Sequence, residues 1–334
     1  MGRLFTFLLA AAAAWFCLLS PDQARAQEPI RLTYAWPGPQ GAFIEVQMAH
    51  WKNEVETRTG GQVQVQAPSG NAAPSGGTVL DDVLAGRTDI GCLNLAADPA
   101  RFTIAGAVGL PWSLSDAASG SRLLQALMGK RPLREMKNLK VLAFFTSAPL
   151  VLISTRAVLA PGELKGLDMG ASGQTSQYLT AWDANPVGLP PAAIAKALQM
   201  GLIKGLLAPV STLKALNYAK YCPFVTLTDT AVVPYAMVMN RQTWTRLPGE
   251  IKLALDQASV AHTGWIAQYL ARNRQEVITW ARNTHKINFH QPSREEAARW
   301  NRPLRTLTDA WRKQALAKGL PADEILGEIG ALLR

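Results

Sequence analysis

Residues 42–66 read AFIEVQMAHWKNEVETRTGGQVQVQ, and this stretch joins a helical pattern to a strand pattern. Apolar residues recur at helical intervals up to position 57, which predicts an amphipathic helix. Gly60 and Gly61 follow, and glycine commonly ends a helix because it adopts the left-handed conformation without strain. The closing VQVQ alternates apolar and polar residues, as a strand with one buried face does.

The segments on either side of this helix extend the same pattern. A β-forming run at 30–34 precedes the helix, and a second helix (TVLDDVLAG) and a further strand (TDIGCLNL) follow it. An alternation of strands and helices is typical of a parallel sheet covered by helices. The same logic recurs later, with strands predicted at 140–145 and 150–154, so the sequence predicts an α/β fold with two domains.

A single long helix is predicted at 248–283, where no internal proline interrupts the apolar positions. At the rise of an α-helix it would be about 54 Å long. Because that exceeds the width of one domain, the helix is expected to lie across both. The predicted domains are residues 27–147 with about 235–262, and 148–234 with about 263–305, followed by a C-terminal helical segment at 306–334.

The first 26 residues have the pattern of a signal peptide. Arg3 precedes an apolar run at 4–19, and Ala24-Arg25-Ala26 is a small-x-small cleavage site. The run is too short to span a membrane, so we expect cleavage after Ala26, export to the periplasm and no stable membrane insertion. The net charge is +10, but nucleic acid is not an expected partner of an exported protein.

No arrangement of residues in the sequence favours catalysis. It contains no GxSxG motif, no Walker loop and no GxGxxG after a strand. The histidines have no acidic or cysteine partner at metal-ligand spacing, and no carboxylate pair is arranged for acid–base chemistry. We therefore expect no enzyme activity, metal or cofactor. Cys92 and Cys222 lie in apolar surroundings and are expected to be buried small hydrophobes, with a disulfide between them as the alternative.

Three aromatic residues and one amide stand near predicted strand ends, where ligands of open α/β sheets bind. They are Trp36, Trp112, Tyr235 and Asn94. The rings would form a stacking surface, and the amide would hydrogen bond to a ligand. The alternative for the rings is a place in the core or at its rim, and for Asn94 a capping role in a turn.

Six motifs follow one another in an order that is typical of one protein family. They are WKNEVETRTGGQVQV, VLAGRTDIG, GLPWSL, LAPGELKGLDM, ANPVGLPPAAIAKALQMGLIKG and MNRQTWTRLPGEIKLALDQA. With a signal peptide before them and a long helix behind, the chain resembles the solute receptors of tripartite ATP-independent periplasmic (TRAP) transporters, the dicarboxylate-receptor family. The resemblance implies a two-domain periplasmic binding protein fold, type II-like, with hinge strands and a long helix that spans both domains. It also implies capture of a small organic solute, usually an acid, and its delivery to a small and a large membrane subunit.

One position departs from the family pattern. In the family, the motif that matches LKGLDMG usually ends in an arginine that pairs with the ligand's carboxylate, and here that position is Gly170. A second arginine would fall near 146–149, where none is present, and a polar residue would fall near Ala208. The family pattern and the strand-end positions together predict these ligand-binding residues: Trp36, Gln40, Asn94, Trp112, Thr146, Ser147, Gly170, Ser172, Gly173, Ala208 and Tyr235.

The missing arginine leaves several alternatives open. Either Lys204 or Arg101 replaces it, or backbone amides near Gly170 and Gly173 hold the anion. Otherwise the ligand is atypical, less polar or aromatic, and lacks the usual carboxylate. The role has alternatives too, namely a ligand-binding sensor for a membrane kinase, or an exported protein on the same fold without a part in transport.

Overall fold

The computed structural model describes residues 28–36, 42–67 and 78–333. The predicted signal peptide and Gln40 lie outside the described residues. The strands of the described part are, in chain order, β1 (Ile30–Ala35), β2 (Val63–Gln66), β3 (Ile90–Asn94), β4 (Leu139–Thr146), β5 (Leu150–Ser154), β6 (Asp168–Ala171), β7 (Asn185–Gly188), β8 (Gly205–Pro209), β9 (Phe224–Thr226), β10 (Pro234–Asn240) and β11 (Asn288–His290).

The helices are interspersed with these strands. They are α1 (Phe43–Arg58), α2 (Val79–Leu84), α3 (Thr103–Gly106), α4 (Ala117–Lys130), α5 (Thr175–Ala181), α6 (Pro191–Gln199), α7 (Thr212–Ala215), α8 (Arg241–Arg246), α9 (Gly249–His285), α10 (Arg294–Asn301), α11 (Arg305–Ala317) and α12 (Ala322–Leu332). Short 3₁₀ turns lie at Ala107–Gly109, Arg134–Met136, Pro161–Leu164 and Tyr218–Lys220.

The first sheet has five strands in the order β2, β1, β3, β10, β4. β1 runs parallel to β2 and β3, as the sequence predicts. β10 instead enters antiparallel between β3 and β4, so the parallel sheet predicted from the strand–helix alternation is a mixed sheet. Residues 236–239 of β10 are completely buried, because this strand lies inside the sheet with a partner strand on each side.

The second sheet has six strands in the order β11, β9, β5, β8, β6, β7. β6 is parallel to β7 and β8, whereas β5 is antiparallel to β8 and β9. Both β5 and β8 are almost continuously apolar and buried, as expected of strands that have both faces covered. The α/β fold with two sheets is therefore confirmed.

Two segments cross between the sheets side by side, one joining β4 to β5 and the other joining β9 to β10. The backbone N–H of Ser147 donates to the carbonyl of Val233 at 2.9 Å, and the Ser147 hydroxyl accepts from the Val233 N–H at 3.0 Å. The N–H of Leu150 donates to the carbonyl of Ala231 at 2.8 Å. The crossovers are thus held together by backbone pairing, in the place where the sequence predicts hinge strands.

Helix α9, 37 residues long, packs against α1, α4 and β4 on the side of the first sheet and against α7 on the side of the second. The indole N–H of Trp51 in α1 donates to the Ser259 hydroxyl of α9 at 3.2 Å. Trp51 is completely buried, and burying an apolar side chain of this kind stabilises the fold by about 1.5–3 kcal/mol. The prediction that one helix lies across both halves is confirmed.

Cys92 and Cys222 are both buried and free, as the sequence predicts. None of the helices in the described part of the chain combines the length and the apolarity that a membrane span requires.

Candidate functional site

A cleft of 350 Å³ lies between the two sheets and is lined from both of them. Asn94 is the last residue of β3, and Tyr235 of β10 is its direct partner in the sheet. Gly170 of β6 and Ala208 of β8 line the cleft from the second sheet. Each of these residues lies near one end of its strand, which is where ligands of α/β sheets commonly bind.

The structure brings six of the residues predicted from the sequence to this cleft: Asn94, Gly170, Ser172, Gly173, Ala208 and Tyr235. Ser172 and Gly173 form the turn between β6 and α5. Gly173 has a φ of +53°, and a Cβ at this position would lie 3.7 Å from the Ala96 carbonyl oxygen. The two halves of the molecule therefore approach each other closely at this turn.

The two tryptophans that were predicted to stack on a ligand lie elsewhere. Trp36 is only 7% exposed and packs in the core of the first sheet, with its ring 6.4 Å from that of Tyr34. Trp112 is half-buried, and its indole N–H donates to the Ala107 carbonyl at 2.7 Å. Because these indoles are occupied by packing and hydrogen bonding within the first half, they do not line the cleft.

Thr146 and Ser147 are also buried outside the cleft. The Thr146 hydroxyl donates to the Ala117 carbonyl at 3.1 Å. The Ser147 hydroxyl donates to the Ala148 carbonyl at 2.7 Å and accepts from the paired crossover. Both hydroxyls are therefore engaged in holding the start of the crossover, and neither is available to a solute.

The cleft also contains residues that the sequence did not indicate. Ile194 of α6 and Leu206 of β8 line it, together with Tyr218, which opens a 3₁₀ turn. Ile194 and Tyr218 come from helical turns rather than strand ends, so the strand-end rule could not identify them. An apolar residue on a helix usually belongs to the core, and no local signal distinguishes one that borders a cleft.

Several polar side chains of the cleft, among them Asn94, Tyr218 and Tyr235, keep hydrogen-bonding capacity that no described residue uses. Asn94 Oδ1 accepts from the Ala96 N–H at 3.0 Å, which leaves the side-chain NH₂ free to donate. The hydroxyls of Tyr218 and Tyr235 bond to no other described residue. Burial raises the pKa of Tyr218 to about 12 and raises the pKa of Tyr235 as well, so both phenols are neutral at ordinary pH.

Charged side chains are absent from the cleft lining as far as the structure describes it. Arg101 lies 3.8 Å from Asp81 and lines a neighbouring cavity instead. Lys204 donates from Nζ to the Gly201 carbonyl at 3.0 Å, away from the cleft. Neither residue considered as a replacement for the missing arginine is therefore at the site. Within residues 28–36, 42–67 and 78–333, no three His, Cys, Asp or Glu side chains form a metal site.

A larger cavity of 470 Å³ lies beside the cleft, between α5 and α11. Gln174 borders both spaces, and its side-chain NH₂ donates to the Val232 carbonyl at 3.0 Å. The larger cavity is lined mainly by helices and loops, whereas the cleft is bordered by strand ends from both sheets. We therefore take the cleft as the candidate ligand site.

Known proteins share this architecture. A C4-dicarboxylate-binding periplasmic protein of Rhodobacter capsulatus is 24% identical over 220 residues, so the chain spans 65% of the length of that relative, and 64% of this chain is aligned. A TRAP periplasmic solute-binding protein of Desulfovibrio salexigens DSM2638 is 34% identical, with a TM-score of 0.82 over 91% of this chain and 95% of that one. A TRAP solute-binding protein of Rhodoferax ferrireducens T118, in complex with copurified benzoate, is 23% identical, with a TM-score of 0.82 over 91% and 97% of the two chains.

The family model of the bacterial extracellular solute-binding proteins, family 7, matches residues 38–314, which include every strand of the two sheets except β1 and all of the described cleft lining. This match confirms the resemblance inferred from the six sequence motifs. The chain therefore belongs to the DctP family of bacterial extracellular solute-binding proteins.

Proposed function

We propose that the chain is a periplasmic receptor that captures a small organic solute in the cleft and delivers it to the membrane subunits of a TRAP transporter. The observation that carries this proposal is a cleft lined from both sheets, beside crossovers that join the two halves. In this proposal the signal peptide is cleaved after Ala26. The two domains are residues 27–147 with about 235–262, and 148–234 with about 263–305, with a helical segment at 306–334.

The relatives support a small organic solute as the ligand. The Rhodobacter protein is named for binding C4-dicarboxylates, and the Rhodoferax protein holds benzoate. A cleft of 350 Å³ falls within the range of about 300–1,000 Å³ that is usual for small-molecule sites. Its lining is mostly apolar with a few polar groups, which is also usual for such sites.

A thermal-shift screen of the exported chain against small organic acids, amides and alcohols tests the proposal. A ligand present at about 100 times its dissociation constant should stabilise the protein by about 2.7 kcal/mol, because it binds the folded state only. Uptake of the same compound into vesicles that contain the membrane subunits should then require the receptor. A screen in which no compound stabilises the chain contradicts capture, and uptake that is indifferent to the receptor contradicts delivery.

Replacing Tyr235 with phenylalanine should weaken ligand binding by about 2- to 10-fold and leave stability unchanged. The hydroxyl has no partner among the described residues, while the ring lies 5.5 Å from that of Phe145 and is retained by the substitution. Isothermal titration calorimetry and urea unfolding measure the two effects.

The matched control is Tyr178→Phe, because the Tyr178 hydroxyl donates to the carbonyl of Gly109 across the two halves. This variant should lose about 1–3 kcal/mol of stability, since a buried carbonyl is left without its donor. If Tyr235→Phe unfolds more easily and binds normally, the hydroxyl has a structural role and does not contact the solute.

A further inference from the structure

We propose that the cleft selects an uncharged, largely apolar solute that accepts hydrogen bonds from Asn94 and the two phenols, rather than a carboxylate. The inference rests on the proposed function and names the class of ligand. It follows from four features: the absence of cations from the described lining, the composition of the two undescribed internal segments, the surroundings of Gly170, and the neutral donors.

The described lining of the cleft contains no basic side chain. A carboxylate that leaves water for a cleft of this kind loses hydration, and only a paired cation or several aligned donors compensate for that loss. Lys204 and Arg101, the two residues considered as replacements for an arginine, interact instead with the Gly201 carbonyl and with Asp81. The described lining therefore lacks a cation that would favour an anion over its neutral analogue.

The two internal segments outside the described residues cannot supply the missing cation. Residues 37–41 read PGPQG, and residues 68–77 read PSGNAAPSGG. Neither contains Lys, Arg or His, so neither can bring a basic side chain to the cleft. The conclusion about charge therefore covers the described lining and both internal segments, and the basic residues outside them and outside the described part are Arg3, Arg25 and Arg334.

Aliphatic side chains occupy the space beside Gly170. A Cβ at this position would lie 2.8 Å from Ile203 Cδ1 and 3.1 Å from Ile194 Cδ1. Ile203 is completely buried, and Ile194 is 5% exposed and lines the cleft. Gly170, where the family resemblance leads us to expect an arginine, therefore has no side chain and is bordered by an apolar wall.

The remaining polar groups suit an uncharged acceptor. The Asn94 NH₂ and the hydroxyls of Tyr218 and Tyr235 have no acceptor among the described residues and can donate to a solute, and all three groups are neutral at ordinary pH. Two of the other hydroxyls are engaged: Thr175 Oγ1 accepts from the Ser172 N–H and donates to the Ser172 carbonyl, and Thr212 Oγ1 donates to the Pro209 carbonyl. The exposed Ser172 hydroxyl has no partner among the described residues. A carbonyl, amide or hydroxyl on an apolar body would match this pattern.

Calorimetry at pH 7.5 with matched pairs tests the inference. The probes are benzoate with benzamide, phenylacetate with phenylacetamide, and succinate with succinamide, so that size and shape are held nearly constant. We expect the tightest-binding pair to favour its amide at least tenfold. Tighter binding of a carboxylate overturns the inference and leaves the receptor function standing. Binding of neither member of any pair, nor of any other compound in the screen, overturns both.

A gain-of-charge variant provides an independent test. Gly170→Arg combined with Ile194→Val and Ile203→Val introduces a cation and removes both Cδ1 atoms that a Cβ at 170 would meet, and should raise affinity for the carboxylate of the best pair at least tenfold. Ala192→Arg adds the same charge to an exposed position of α6 that does not line the cleft, and Ile194→Val with Ile203→Val controls for the vacated space. Neither control should reverse the preference. A folded triple variant that still prefers the amide shows that charge does not decide selection.

Discussion

Replacing Gly205 with alanine is expected to lower the free energy of unfolding by about 3–5 kcal/mol. Gly205 begins β8 with a φ of +156°, a conformation that other residues rarely adopt. A Cβ would lie 2.3 Å from the carbonyl oxygen of Ile153 and 2.9 Å from the Cα of Ser154. These are backbone atoms of β5, the antiparallel partner of β8, so they cannot rotate away as a side chain would.

Urea unfolding followed by circular dichroism measures this loss. The control is Gly264→Ala, because Gly264 lies exposed in α9 and an added Cβ would meet no heavy atom within 4 Å. That substitution should stabilise the protein by about 0.5–1 kcal/mol, since alanine favours the helix. If Gly205→Ala unfolds within about 1 kcal/mol of the wild type, β5 and β8 do not pair in this register.

The same contact links stability to the site, because β5 and β8 both border the cleft. Leu150 begins β5, Ala208 lies near the end of β8, and both line the cleft. Separating the two strands would move these residues, so the Gly205→Ala variant should also bind its ligand more weakly. A variant that is destabilised but binds normally would show that β5 and β8 keep their positions at the cleft in the folded state.

The features predicted correctly from the sequence are those that depend on nearby residues. The helix predicted at 42–57 is observed as Phe43–Arg58. Its buried residues recur every three or four positions, so the helical spacing can be read from the segment alone. The helix predicted at 248–283 is observed as Gly249–His285. The antiparallel position of β10 was not predicted, because an apolar run shows that a strand is buried but not which neighbour it pairs with.

The site was only partly predictable for the same reason. Asn94 and Tyr235 lie at strand ends and line the cleft, which the strand-end rule anticipates. Trp36 satisfies the same rule, yet it is buried in the core, since the residues before it in β1 are buried on both faces. Which side of a strand end faces a cleft depends on the packing of distant elements, and a single sequence does not record it.

The largest feature missed from the sequence is a pair of histidines from different helices. His50 of α1 and His262 of α9 are 212 positions apart, yet their Nδ1 atoms lie 3.1 Å apart. His262 Nε2 lies 2.7 Å from Gln47 Oε1, and the Gln47 NH₂ donates to the Tyr34 hydroxyl at 2.6 Å. Because the Gln47 NH₂ acts as a donor, its oxygen accepts from His262, so Nε2 of His262 carries a proton. Burial lowers the pKa of His262 and keeps the imidazole neutral, so its Nδ1 is unprotonated and accepts from the Nδ1–H of His50.

Lowering the pH from 6.5 to 5 is expected to reduce the free energy of unfolding by about 2 kcal/mol through His262 alone. Burial, and secondarily the neighbouring His50, lower the pKa of His262 to about 3 from a usual value of 6.5. Between these two values the unfolded chain takes up a proton that the folded chain excludes. Stability is therefore fully present above pH 6.5 and is lost by about 1.4 kcal/mol per pH unit as the pH falls toward 3.

Urea unfolding of the wild type and of His262→Gln at several pH values between 7.5 and 4.5 isolates this effect, because the remaining titrating groups are common to both proteins. The variant should be less stable than the wild type at pH 7.5, where it loses native contacts, and should fall less steeply on acidification. Thr263→Gln places the same residue at the adjacent, half-buried position and keeps both histidines, so it should retain the wild-type slope. Equal slopes for wild type and His262→Gln would show that the folded protein protonates His262 as readily as the unfolded chain does. In that case the Nδ1–H of the charged His262 would donate to His50 Nδ1, and the direction of the hydrogen bond between the two rings would be reversed.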